Sequence, residues 1–148
     1  MEKTLRMENR TKRWREQRWL LDSVIKTVGP EWDQGRLGSK GGKGGGAGTA
    51  SFRRAGAKMK KFDDIGPEFG REGQRMEGIA KGFEDQGRFV SAYENYFIAS
   101  LLYASAQWPY FDINDEDLEW ERRMARCYDK FIEYAPHPVE RVDIPFQD

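Results

Sequence analysis

Residues 89–107 read FVSAYENYFIASLLYASAQ, and this stretch decides the fold. Ala92, Tyr96, Ala99, Tyr103 and Ala106 recur at spacings of four and three, which places them on one side of a helix. Phe89, Tyr93, Phe97 and Leu101 cover an adjacent side. A helix apolar over most of its circumference belongs at the centre of a helical layer. Trp108-Pro109-Tyr110 closes it, because a residue before proline leaves the helical region.

Two further helices flank this one. Upstream, the spacing predicts a helix over 67–86, with Phe69, Met76, Ile79, Ala80 and Phe83 on its apolar face. Pro67 suits its first turn and Gly87 its end. Gly70, Gly73, Gly78 and Gly82 each weaken such a helix by roughly 1 kcal/mol if interior, but they also permit a close neighbour. Downstream, Asn114 or Asp115 can cap a third helix whose first turn is acidic, at Glu116, Asp117 and Glu119. Its Trp120, Met124, Cys127, Phe131 and Tyr134 repeat at four, three, four, three, and Pro136 ends it.

At the N-terminus, KRWREQRWLLDSVIKTV (12–28) is amphipathic, with Trp14, Leu21, Ile25 and Val28 on one face and Gly29-Pro30 as the stop. Trp32 and Leu37 are candidate anchors beyond it. Gly38–Gly48 reads GSKGGKGGGAG and has no apolar side chain larger than alanine. It fails as a P-loop, since Leu37 stands where the first glycine is required and Gly44 follows Lys43. It reads as a flexible segment, and the basic SFRRAGAKMKK (51–61) reads as a short helix or as part of that segment. The expected organisation is an N-terminal helix and turn (1–37), a glycine-rich basic flexible segment (38–61), a helical domain (62–137) and a terminal strand (138–148).

The strand expectation rests on Val142, Ile144 and Phe146 alternating with Arg141, Asp143 and Pro145, with Pro145 confining it to an edge or an end. Nothing else in the chain has a strand period. The expected fold is therefore mostly α, a small helical bundle with a strand that would start a sheet lying elsewhere. That sheet belongs to a continuation of this chain or to another polypeptide.

Composition narrows the function classes. Charged residues make up 34% and mean hydropathy is −0.87, with no apolar run long enough to span a bilayer. The first residues lack the apolar stretch of a signal peptide, and Cys127 is the sole cysteine, so a reducing, cytoplasmic setting is expected. Aromatic residues, at 14%, demand burial in a core or at an interface. Residues 1–60 hold 15 Lys and Arg against 6 Asp and Glu, while residues 61–148 hold 10 against 19. A basic arm could attract nucleic acid, but no aromatic–basic recognition motif accompanies it, so that role is disfavoured.

Candidate chemistry is sparse. His137 stands alone between prolines, as a surface loop residue would. Cys127 falls on an apolar helix face, as a buried structural thiol would. The acidic run from Asp112 to Asp117 lacks the glycine and terminal glutamate of a calcium loop. No metal or cofactor is expected. Tyr103, Trp108, Tyr110 and Phe111 cluster at the end of the central helix and in its loop. Core packing is the plain reading of these rings.

The order of these elements carries a resemblance. SAYENYFIASLLYASAQWPY, a third helix, then VERVDIPF is similar to the N-terminal helical cap of one group of α/β-hydrolases. That group includes the 2,6-dihydroxypseudooxynicotine hydrolases, the FrsA-like esterases and the fungal pigment hydrolases that shorten polyketides. The resemblance covers roughly residues 66–148 and includes no catalytic motif. It implies that VERVDIPF is the first strand of a hydrolase sheet and that the helices before it are a lid. The lid would serve a Ser-His-Asp hydrolase of ester or carbon–carbon bonds, and the resemblance makes Tyr103, Trp108, Tyr110 and Phe111 the candidates for facing its small-molecule substrate, with core packing as the alternative.

The implied partners are a hydrolase domain in cis and an aromatic or polyketide-like substrate, with homo-oligomers open. No G-x-S-x-G occurs, and no catalytic residue of that group maps onto this chain, which is expected to be inactive alone. The alternative is a stand-alone helical interaction module, although the 34-residue period of tetratricopeptide repeats is absent.

Overall fold

A computed structural model describes residues 17–30, 46–110, 112–140 and 142–145. Five α-helices are seen among them: α1 over 17–28, α2 (Gly46–Gly56), α3 (Ile65–Asp85), α4 (Phe89–Ala106) and α5 (Asp115–Glu133). A single 3-10 turn, Phe62–Asp64, leads into α3. No strand occurs among the described residues. The fold is a small, mostly helical bundle, as the periodicities predict.

The core is the packing of α3, α4 and α5. On α4, Ala92, Tyr96, Ala99, Tyr103 and Ala106 are all buried, so the four–three stripe is the inner face. α4 packs against both α3 and α5, the central position expected of it. The alanines leave room, and α3 supplies more. Gly66, Gly70 and Gly73 are spaced four and three apart, and each receives an aromatic ring. A Cβ at Gly70 would lie 2.5 Å from Trp120 Cη2, and one at Gly73 would lie 2.8 Å from Tyr103 Cε1. A Cβ at Gly66 would strike the Tyr110 hydroxyl. These glycines form a groove that seats rings from α4, α5 and the loop between them. Gly78 and Gly82 lie off the groove and meet nothing within 4 Å.

The helix ends follow local chemistry. Gly87 has φ +70, and backbone bonds from Gly87 N to Glu84 O (2.9 Å) and from Arg88 N to Phe83 O (2.9 Å) close α3 in a Schellman-like turn. The Asn114 side chain accepts a bond from Asp117 N (2.9 Å) and caps α5. At the start of α3, Asp64 Oδ2 accepts from the backbone N–H groups of Lys60 (2.8 Å) and Lys61 (3.1 Å).

Two expectations need correction, those for Val28 and Ile79. Of the two readings open for 51–61 the helix is the one seen: α2 buries Phe52, Ala55 and, just beyond it, Met59 against the bundle. Phe52 packs edge-on against Phe69 at 5.4 Å. Its three–four spacing was masked by glycine and basic neighbours. Residues 38–45 lie outside the described part, as do Trp14, Trp32 and Leu37.

Val28 shares the azimuth of Ile25 but is exposed, because it sits in the last turn before Gly29 (φ +82) redirects the chain. Ile25 is buried and Asp22 Oδ1 accepts from Phe62 N (2.8 Å), fastening α1 to the start of α3. Ile79, assigned to the apolar face of α3, sits at its edge and is exposed.

Beyond α5 the described residues are irregular. Residues 142–145 form no ladder, and Val142 and Ile144 are 70% and 81% exposed. Phe146 lies outside the described residues.

Candidate functional site

Three of the four aromatic residues singled out from sequence lie among the described residues, and they divide between the core and one end of the bundle. Tyr103 is fully buried and stacks on Trp120 at 5.9 Å. It belongs to the core and not to a substrate-facing surface, because the groove at Gly73 draws its ring inward. Its hydroxyl donates to Glu77 Oε2 (2.6 Å), and burial together with this carboxylate raises its pKa. Arg126 closes on the other oxygen of Glu77 (2.6 Å from Nη2).

Trp108 is half-buried against Phe62, with ring centroids 5.1 Å apart. Tyr110 is half-buried, its hydroxyl resting on Gly66 beside the Trp120 indole N–H and Glu116. Burial pushes the Tyr110 phenol up to about 12. Trp108 and Tyr110 therefore share the end of the bundle where α3 begins. Phe111 lies outside the described residues.

A cluster that the sequence did not reveal sits at the other end of α3. Glu84 accepts hydrogen bonds from Tyr96, from the Tyr134 hydroxyl (2.5 Å) and from Lys130 Nζ (2.9 Å). One carboxylate thus ties α3 to α4, to α5 and to the residue after α5. These donors, led by Lys130, hold the Glu84 carboxyl down at about 2. The partners of Glu84 lie 12 to 50 residues from it in sequence, so no local pattern could announce them. Glu84's bonding capacity is taken up within the cluster, which suits it to fastening helices and not to turning over a substrate.

A third polar cluster joins α2 to α3. Glu72 is buried and held by Arg75 (Nη2 to Oε1, 2.6 Å) and by Arg54 of α2 (3.5 Å). Arg75 also reaches the buried Ser51 hydroxyl at 3.4 Å.

No nucleophile stands ready among the described residues. The Cys127 thiol is buried on the inner face of α5, and burial pushes it up to about 12, far from the thiolate a nucleophile needs. His137 is exposed between its prolines. No group of three or more His, Cys, Asp or Glu able to hold a metal occurs among the described residues. No described helix is long and apolar enough to cross a membrane.

Comparison with known proteins finds no matching family, no matching curated protein and no matching solved structure.

Proposed function

We propose that the helical bundle is the lid of a serine-type α/β-hydrolase, and that residues 138–148 supply the first strand of that enzyme's sheet. The observation that carries this reading is the terminal segment. Val142 and Ile144 point their apolar side chains into solvent at a period of two, after a bundle whose own core is already closed. Burying such a segment stabilises it only against a sheet with an unfilled apolar face.

In this reading the lid does no bond-making. It encloses substrate and shapes specificity, and Trp108 and Tyr110, together with Phe111 of the same loop, are the side chains to meet an aromatic or polyketide-like acyl group. Tyr103 holds the helix beneath them.

Two experiments test it. Sequencing the gene onward from the Asp148 codon should find an open frame reaching G-x-S-x-G within about 100 residues; an immediate stop codon would sink the proposal. The pure 148-residue chain should also take up no fluorophosphonate probe, because its sequence contains no G-x-S-x-G.

One feature favours the interaction-module reading instead. Tyr93, Phe97, Tyr128 and Phe131 form a contiguous aromatic seam between α4 and α5, with Tyr93 stacked on Phe131 at 4.6 Å, and Tyr128 is exposed. A stop codon after Asp148 would shift the account to that seam.

A further inference from the structure

α4 and α5 run antiparallel, and their rings meet in reverse order. Tyr103 stacks on Trp120 (5.9 Å), Tyr93 stacks on Phe131 (4.6 Å), and Phe89 tilts against Tyr134 just beyond α5 (5.1 Å). The pairs form one ladder along the seam between the helices, yet its two ends differ. At the Tyr103 end both rings are buried, because the glycine side of α3 receives them. At the Phe89 end the ladder is open. Phe89 is 50% exposed, Val90 75% and Tyr128 44%, while Tyr93, Phe97 and Phe131 are half-buried. Large rings stabilise a structure by being buried, and a contiguous apolar face left in water marks a contact with something else.

The open end is also where the chain leaves the bundle. Glu84 of α3 accepts from Lys130 Nζ (2.9 Å) and from the Tyr134 hydroxyl (2.5 Å), so the last turn of α5 and the residue after it are pinned beside Phe89. Pro136 and Pro138 then restrict how the connection bends. From Tyr134 to Val142 the backbone reaches at most about 29 Å when fully extended. α4 itself is about 27 Å long. Whatever Val142 and Ile144 pair with is therefore tethered within roughly one helix length of Phe89.

We infer that the hydrolase domain to which the terminal segment would belong covers the open end of this ladder, so that the lid is seated on its enzyme through Phe89, Val90, Tyr93, Phe97 and Tyr128. The inference rests on the lid reading and adds the surface by which the lid is held. Trp108 and Tyr110 lie beyond the other end of α4, outside that contact, where the same reading has them meet substrate. A domain on so short a tether faces the ladder at an effective concentration on the order of millimolar, so a modest apolar contact holds it there. A second copy of the chain has no such tether and covers the face only in proportion to its concentration.

Hydroxyl-radical footprinting read by mass spectrometry tests this, on the full natural chain and the 148-residue chain side by side. In the full chain the oxidation rates of Phe89, Tyr93 and Tyr128 should fall severalfold at every protein concentration, while that of Trp19, exposed on α1, should not change. Val90→Glu combined with Tyr128→Glu, both at exposed positions, should leave the circular dichroism spectrum unchanged. The same pair should return Tyr93 and Phe97 of the full chain to the rates of the 148-residue chain.

Unchanged rates in a full chain whose frame carries G-x-S-x-G overturn the inference and leave the lid reading standing. A stop codon after Asp148 overturns the lid reading, and the inference with it. Protection that instead grows with the concentration of the 148-residue chain assigns the face to a second copy and also overturns the inference.

Discussion

The most informative single positions are glycines that occupy one helix but serve two purposes. At Gly70 the missing Cβ is what admits the Trp120 ring, so Gly70→Ala should overpack the α3–α5 contact. The clash outweighs alanine's better helix propensity, for a net loss of roughly 1–2 kcal/mol in urea unfolding. Gly78 lies on the same helix with open space around it. Gly78→Ala should instead stabilise the protein by roughly 0.5–1 kcal/mol. The opposite signs in one helix would show that the groove, and not the helix, requires glycine.

Glu84 makes a residue-scale prediction about pH. Its folded pKa is depressed to about 2 from the ordinary 4.5, so its contribution to stability is present above about pH 4.5 and is lost as pH falls toward 2. Glu84→Gln keeps the shape but cannot accept from all three donors, and should cost about 1–3 kcal/mol at neutral pH. Urea midpoints recorded across this acid range should converge for the wild-type and Glu84→Gln proteins. A constant gap would mean that the carboxylate charge contributes nothing.

At the scale of elements, legibility tracked how local the signal was. α4 and α5 could be read almost to their ends, because the stripe from Ala92 to Ala106 and the run from Trp120 to Tyr134 are uninterrupted, and Asn114 caps as its chemistry suggests. Asn114→Ala should therefore cost about 1 kcal/mol. α2 was obscured because glycines and lysines surround its three apolar anchors, and only tertiary contact with Phe69 makes them a face. Phe52→Ala should cost about 3 kcal/mol and leave residues 46–61 open to trypsin at Arg53, Arg54 and Lys58 while α4 and α5 stay resistant. Tyr103, Trp108 and Tyr110 were legible as aromatic but not as divided between core and bundle end. Tyr103 points inward because of a glycine 30 residues earlier, at position 73, a pairing that no periodicity within α4 contains.

At the scale of the whole molecule, a closed helical bundle is followed by a segment whose Val142 and Ile144 side chains stay exposed. The bundle explains where the aromatic residues go, and it leaves Val142 and Ile144 outside. The lid proposal assigns those two side chains to a sheet beyond the bundle. Hydrogen exchange on the isolated chain tests that assignment most directly. Amides of Tyr96 to Tyr103 should be strongly protected within the core, whereas those of Val142 and Ile144 should exchange at the rate of an unstructured peptide. Protection of Val142 and Ile144 in the isolated, monomeric protein would contradict the account, because the segment would then be paired without any outside sheet.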